Sequence, residues 1–312
     1  MTGKRKLVHT AALFLLPLIV SVYGLSLAGT AGLVLLMLLW RWGISLSTWV
    51  APARSPELEL RTISASHFVE KVRWCMDRLG VDYTEIPSGG TLNAFYLGQS
   101  VPLLRFRTGR VRSSIGNSAE ILRYLWGRYG AESPAEAVFL APTRERLQLE
   151  AKTDRCGADL QVWVYYHLLD HRDLTLRAWG VDDSSIPAWQ RLWLKVVYPL
   201  QAALIRRAFQ ISGRHHQRAV EHLETLMGEV EERLSDGRGS ILGGDKPNFS
   251  DFAYASIMGL WLQPAAYGGG RAENVKIAWQ DYPEAMQREI EGWIERFPKN
   301  VAFIENLYAE RC

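Results

Sequence analysis

Hydrophobic residues dominate the first fifty positions, where charged residues are rare. After three basic residues at positions 4–6, a nearly uncharged stretch extends from Leu7 to about Trp40. A helix needs about 20 apolar residues to cross a bilayer, so this stretch is too long for one comfortable span and barely long enough for two. Gly24 and Gly29 lie in its middle, where they would allow a tight turn. The pattern predicts a membrane anchor at residues 1–50.

The form of this anchor follows from its two ends. We predict a transmembrane helical hairpin with helices at residues 7–23 and 25–42, and a single span is the alternative. Trp40, Arg41 and Trp42 are typical of an interfacial belt with a positive flank. Basic residues at both ends place the soluble domains on the cytoplasmic side. A signal peptide cleaved near Ala28 is a further alternative, but the apolar stretch continues well beyond that residue.

From Glu57 the pattern becomes that of a soluble α+β protein. Apolar and charged residues alternate over 58–62, which predicts a strand, and the helical spacing after Ser66 predicts a helix that Gly80 ends. Further strands are predicted at 81–86, 101–106 and 111–115. A second helix is then expected to begin at Asn117 or Ser118. The order is βαβ, then a β-hairpin, then a helix, which predicts one compact domain at residues 57–130.

The remaining residues have helical spacing almost throughout. Helices are expected from Thr143, Trp189 and Arg214 onward, which indicates an all-helical domain at residues 140–312. In the segment GGDKPNFSD at 243–251, Asn248 is placed to cap a helix, and Asp251 is placed to bond back to the backbone of the cap.

Composition and charge narrow the function classes. The net charge of +3 is too small to indicate nucleic acid as the main partner. The three cysteines are odd in number, far apart and without a CxxC pair, so neither a disulfide framework nor a zinc site is expected. His215 and His216 have no carboxylate at ligand spacing, and no metal site is predicted.

Three motifs resemble those of one enzyme superfamily. They are SHFVEKVRW at 66–74, VPLL at 101–104 and NSAEILRYL at 117–125. In order and spacing they resemble the first helix, the cis-proline strand and the following helix of the glutathione transferases. The segment at 243–251 resembles the late capping motif of the same superfamily. The resemblance covers residues 58–308 and implies a thioredoxin-like α+β domain followed by an all-α helical bundle.

The resemblance also implies a site and a reaction. Ser66 corresponds to the residue that stabilises the glutathione thiolate in the serine-type branch, since no cysteine stands there. Val101 and Pro102 correspond to the residues that hold the cysteinyl unit of glutathione. Asn117 and Ser118 correspond to those that hold its γ-glutamyl end, although the family more often has Glu or Asp in place of Asn117. Glutathione is thus the implied co-substrate.

Purely structural roles stay open for the same residues. Ser66 and Asn117 are ordinary helix N-cap types, and Pro102 suits the edge of a strand. In the superfamily the helical domain lines the pocket for the second substrate, and Trp163, Tyr165 and Tyr166 are candidates for that wall.

The implied function is the transfer of glutathione to a hydrophobic electrophile at the face of a lipid bilayer, which the chain would contact through residues 7–42. A homodimer is the arrangement of many relatives. Two alternatives remain. One is a binding or scaffold protein that keeps the fold without the chemistry, and the other is a glutathione-dependent isomerase or dehalogenase.

Overall fold

The structure is a computed structural model that describes residues 15, 19, 24, 26–49, 56–90, 101–108 and 111–311. It divides the chain into two compact units. One contains residues 1–59 and 104–115, and the other contains residues 60–103 and 116–312. The first described helix is α1, Leu27–Trp49.

Four strands form one sheet, as the sequence predicts. They are β1 Glu57–Thr62, β2 Thr84–Pro87, β3 Leu103–Thr108 and β4 Val111–Gly116, in the order β2-β1-β3-β4. Helix α2, His67–Arg78, lies between β1 and β2 in the chain, and α3, Ser118–Tyr129, follows β4. Strand β3 begins two residues later than predicted, because Pro102 has no N–H to donate to the ladder. The sequential order is that of a thioredoxin-like α+β domain.

Helix α2 has the ends that the sequence indicates. The Ser66 hydroxyl accepts a hydrogen bond from the Val69 N–H, and Gly80 follows the helix in the left-handed region with φ of 62°. Glycine adopts this conformation without the cost that a Cβ imposes. The body of the helix is buried almost all round, including three charged residues, Glu70, Lys71 and Arg73.

The rest of the described chain is helical, with short 3₁₀ turns between the helices, and this confirms the expected all-helical part. Thr143 caps the first long helix through its hydroxyl, at the residue where the sequence predicts the start. The helices are α4 Pro134–Ala137, α5 Arg144–Leu168, α6 Arg172–Ala178, α7 Ala188–Ala208, α8 Gly213–Arg233, α9 Phe249–Leu262, α10 Glu284–Arg296 and α11 Pro298–Ala309.

Helix α9 forms the centre of this helical part. Nearly every one of its residues is buried, and α2, α5 and α11 pack against it. Asn248 caps it, and the Asp251 carboxylate accepts hydrogen bonds from the backbone N–H groups of Asn248 and Ile241, each at 2.8 Å. The predicted capping motif is therefore confirmed. Because a buried carboxylate here holds both a helix start and the preceding loop, the motif stabilises tertiary structure as well as the helix.

The predicted membrane anchor is not supported. Within the part of the chain that the structure describes, no helix combines the length and the apolar character needed to cross a membrane. The second helix of the expected hairpin at 25–42 corresponds to α1, which begins at Leu27 and continues to Trp49. Most of the first helix, at 7–23, lies outside the described residues.

Candidate functional site

Ser66 lies directly before α2, at the N-terminal end of the helix. Its side chain is half-buried, and its Oγ accepts from the Val69 N–H at 3.4 Å. A hydroxyl that accepts at a cap still has its own proton to donate. The N-terminus of a helix also carries partial positive charge. The position therefore combines a hydroxyl donor with a field that favours an anion.

The loop that presents Ser66 is held from the helical part of the chain. Ser64 donates to the Asp183 carboxylate at 3.2 Å, and both side chains are buried. Asp183 in turn accepts from the backbone N–H and the hydroxyl of Ser185. Asp183 was not singled out by sequence reasoning, because 119 residues separate it from Ser64. It is a positioning residue for the loop before Ser66.

Val101, Pro102, Asn117 and Ser118 lie at one end of a β-hairpin. Strands β3 and β4 are hydrogen-bonded neighbours joined through only two residues, 109 and 110, so they are antiparallel. The start of β3 and the end of β4 therefore meet, and the residues just before β3 lie beside those just after β4. The peptide bond between Val101 and Pro102 is cis, as the resemblance implies. Helix α3, which starts at Ser118, packs against α2.

Asn117 has an unusual backbone conformation, with φ of 69° and ψ of 127°. Positive φ is uncommon outside glycine, and residues held in sparsely populated regions cluster at functional sites. Its side chain is exposed, and its Oδ1 accepts from the Ala119 N–H at 2.9 Å. The adjacent Ser118 is buried. Both the capping role and the strained backbone are thus present at the same residue.

Behind the candidate site, α2 buries two basic residues, of which Lys71 pairs with carboxylates of α5 and Arg73 with a carboxylate of β2. The Lys71 ammonium is fully buried, hydrogen-bonds both oxygens of Asp154 at 2.9 and 3.0 Å, and pairs with Glu150 at 2.7 Å. Arg73 binds both oxygens of Glu85, at 3.1 and 2.5 Å. These partners explain why a basic pair occurs in the middle of a buried helix, since an unpaired charge there would be very costly.

His67, directly after Ser66, is buried. Burial lowers the pKa of its imidazole from 6.5 to about 4, although the Gly157 carbonyl acts in the opposite direction. The ring lies against Phe68, with 4.3 Å between the centroids. A neutral histidine held in this way packs α2 against α5. It brings no charge to the site.

The aromatic residues proposed for a substrate pocket occupy three different environments. Trp163 is fully buried and packs on Trp293. Tyr165 packs on Phe209, and burial raises its pKa to about 12. Tyr166 is exposed and stacks on His216 at 4.0 Å. Trp163 and Tyr165 therefore pack in the interior, and Tyr166 is the candidate whose side chain is exposed.

One comparison with known proteins agrees with the motifs. Residues 60–133 match the family model described as glutathione S-transferase, N-terminal domain. The match contains all three motifs and every proposed site residue. The glutathione transferase superfamily is thus supported by a segment that holds the α+β part of the chain, while the helical residues beyond 133 lie outside the match.

Solved structures with a similar arrangement were also found. A glutathione S-transferase from Methylobacterium radiotolerans, in complex with glutathione sulfonate, has 17% identity and a TM-score of 0.48, with 82% of this chain and 91% of that chain covered. One from Methylobacillus flagellatus with bound glutathione has 14% identity and a TM-score of 0.47, with 82% and 96% covered. A maleylacetoacetate isomerase from Anaeromyxobacter dehalogenans has 15% identity and a TM-score of 0.40, with 83% and 96% covered. These likenesses are too weak to argue activity. No curated protein matches the chain.

Proposed function

We propose that the chain binds glutathione, stabilises its thiolate through Ser66 and transfers it to a hydrophobic electrophile. The observation that carries the proposal is the position of the Ser66 hydroxyl, which caps α2 as an acceptor and keeps its proton available. The family match at residues 60–133 supplies the ligand class. The electrophile is specified only as apolar.

The energy required is within reach of this arrangement. A free thiol has a pKa of about 8.5, and lowering it by about two units requires roughly 2.7 kcal/mol of preferential thiolate stabilisation. A hydrogen bond to a charged acceptor supplies about 1.5–3 kcal/mol. The helix N-terminus adds about 0.3–1 kcal/mol. Ser66 and the start of α2 together therefore suffice, and neither a base nor a metal is required.

The remaining residues hold the peptide in this proposal. The backbone of Val101, before Pro102, pairs with the cysteinyl unit, and Asn117 with Ser118 receives the γ-glutamyl end. A helix N-terminus favours an anion such as the γ-glutamyl carboxylate, and α3 starts at Ser118. The unusual backbone of Asn117 supports a functional role at this position.

The test compares two helix-capping hydroxyls. In Ser66→Ala we expect loss of glutathione thiolate absorbance at neutral pH and a fall in turnover of about 10- to 100-fold, the effect of one lost charge-assisted hydrogen bond. Thr143→Ala is the matched control, because Thr143 also caps a helix, with its Oγ1 accepting from the Arg146 N–H at 3.3 Å. Both variants lose about 1 kcal/mol of stability from the missing cap. Only Ser66→Ala loses the thiolate, and unchanged turnover in it would remove Ser66 from the mechanism.

A binding or scaffold protein is the second candidate, and one observation favours it. The Asn117 Oδ1 is already engaged with the Ala119 N–H, and an amide lacks the charge that would attract the glutathione ammonium. Calorimetric titration with glutathione separates the candidates, because the scaffold gives no heat at millimolar ligand. For the enzyme we expect Asn117→Asp to tighten binding about fivefold, the difference between a neutral and a charge-assisted hydrogen bond.

Two finer parts of the proposal rest on the sequence. An isomerase or dehalogenase would use the same α+β residues, and product analysis with each substrate class distinguishes it from a transferase.

Attachment to a membrane through residues 7–42, with the domains on the cytoplasmic side, also stays a prediction. A reporter fused at residue 54 tests it, and a reporter signal from the opposite side of the membrane would contradict it.

A further inference from the structure

Three helices of the helical part bring two histidines and a glutamate together. His167 lies near the end of α5, His216 near the start of α8 and Glu289 in the middle of α10. The three potential ligand atoms lie within 4.8 Å of one another. The His167 side chain is 3% exposed, that of His216 is 12% exposed and that of Glu289 is 30% exposed. The cluster is thus largely buried but still reached by solvent from one side.

The histidine–glutamate distances within the cluster are longer than those of strong charge-assisted hydrogen bonds. The Nε2 atoms of His167 and His216 each lie 3.3 Å from the same oxygen, Oε2 of Glu289. Charge-assisted hydrogen bonds of this type are shorter, about 2.7–2.9 Å. In contrast, two ligand atoms on one tetrahedral zinc ion, at bond lengths of about 2.0–2.1 Å, are roughly 3.3–3.4 Å apart. Both histidine–glutamate separations match the second geometry.

Neighbouring aromatic side chains fix the orientation of the two rings. His216 stacks on Tyr166 with 4.0 Å between centroids, and His167 meets Trp163 edge to face at 5.2 Å. The two imidazoles are nearly perpendicular, at 86°, so they approach the carboxylate from different directions. Trp163 donates its indole N–H at 2.6 Å to the same oxygen, Glu289 Oε2, and this outer hydrogen bond fixes the orientation of the carboxylate.

The geometry points to a binding site for one divalent transition-metal ion of the zinc type, held by His167, His216 and Glu289. Two imidazole nitrogens and a carboxylate are a ligand set that zinc accepts in proteins, with water in the fourth position. The open side at Glu289 and His216 admits that water. The ion would join α5, α8 and α10, whose ligands are 49 and 73 residues apart. The site is independent of the glutathione proposal, because it shares no residue with it.

Cobalt(II) provides the direct test, since its visible spectrum distinguishes tetrahedral from octahedral coordination. The full chain is treated with a chelator and titrated with Co²⁺, and Zn²⁺ is then added. We expect one equivalent of Co²⁺ with tetrahedral bands, displaced by one equivalent of Zn²⁺. In His216→Gln and Glu289→Gln we expect affinity to fall by more than about 100-fold, beyond the loss that an outer-sphere change produces. Zinc at 100 times its Kd should raise the thermal midpoint of the wild type by roughly 4 °C.

His222→Gln is the matched control, because His222 lies on the same helix as His216 but meets a single carboxylate, Asp159, at 3.1 Å in an exposed setting. This variant should keep the stoichiometry, the spectrum and the thermal shift. Absence of a one-to-one complex in the wild type overturns the site, whether or not the variants fold. An octahedral spectrum, or tight binding that survives both ligand substitutions, overturns it as well.

Discussion

The motif segment at residues 60–133 and the helical cluster around Glu289 are built in opposite ways. In the motif segment, each candidate residue stands at the start of a helix or strand, so its place can be inferred from neighbours a few positions away. His167, His216 and Glu289 instead come from the interiors and ends of three separate helices. The comparison teaches that sequence motifs reveal sites made by element termini, while sites made by packed helix faces leave no local pattern.

The two regions are also physically connected, and the connection is electrostatic. Lys71, on α2 of the motif segment, forms ion pairs with Glu150 and Asp154 on α5, and α5 is also the helix that carries His167. Arg123 of α3 also pairs with Glu150, at 3.1 Å. Substitutions of the ion pairs, the helix caps and single buried groups therefore test whether stability depends on long-range contacts in one region and on local contacts in the other.

The largest effect is expected where the two regions meet. Lys71→Met should lower the free energy of unfolding by about 3–5 kcal/mol, because removing one partner of a buried ion pair leaves carboxylates without their counter-charge. Lys152→Met is the control, since Lys152 lies on the same α5 and pairs with Glu229 near the surface. It should cost less than about 1 kcal/mol. Urea unfolding measures both, and equal losses would mean that burial does not govern these pairs.

A smaller loss of stability is expected at the capping motif of α9, which is the part of the helical region that a local sequence motif defines. Asp251→Ala should cost about 2–4 kcal/mol, because it removes the capping box of α9 and leaves the buried N–H groups of Asn248 and Ile241 unsatisfied. Thr143→Ala, a cap with one long contact, should cost about 0.5–1 kcal/mol. Thermal unfolding compares the two. If Asp251→Ala loses no more stability than the Thr143 control, the contact of the Asp251 carboxylate with the loop at Ile241 contributes nothing.

The buried histidine of the motif segment predicts a dependence on pH. The pKa of His67 falls from 6.5 to about 4 on folding, so the unfolded chain binds more protons between these values. Its stabilising contribution is therefore present above pH 6.5 and is lost as the pH falls toward 4. From pH 7 to pH 5 it should decrease by about 2 kcal/mol. Urea unfolding at several pH values should show a flatter slope for His67→Gln. Identical slopes in the wild type and in His67→Gln would contradict the assignment.

The smallest expected effect is a difference in thiol reactivity between the two cysteines in the described part of the chain. Burial raises the pKa of Cys75, in α2, to about 12 and that of Cys156, in α5, to about 11. Because the thiolate is the reactive form, Cys156, the less buried of the two, should be alkylated faster than Cys75 in the native protein, and both far more slowly than in urea. Peptide mapping after timed iodoacetamide treatment follows each site. Equal rates, or a faster Cys75, would contradict the order.

Much of the architecture was predictable because it depends on short-range chemistry. The alternation at 58–62, the capping hydroxyls of Ser66 and Thr143, and the Asn248 cap with its reciprocal Asp251 all act within a few residues, so composition and spacing define them. The burial of the His67 ring has the opposite origin, because the packing of α5 against it cannot be inferred from its neighbours in the chain. The later start of β3 is again a local effect, since Pro102 cannot donate to the ladder.

The sequence by itself determined the strand and helix order and the helix caps, because each depends on side chains close together along the chain. The candidate glutathione residues stay predictions, which the resemblance of three motifs to the glutathione transferases implies. Only the tertiary structure decided that Asp183 anchors the loop before Ser66, that Lys71 is neutralised from α5, and that His167 and His216 converge on Glu289. Those contacts join residues that are 73 to 122 positions apart, and their geometry is set by how the helices pack. No local conformational preference of the chain encodes that geometry.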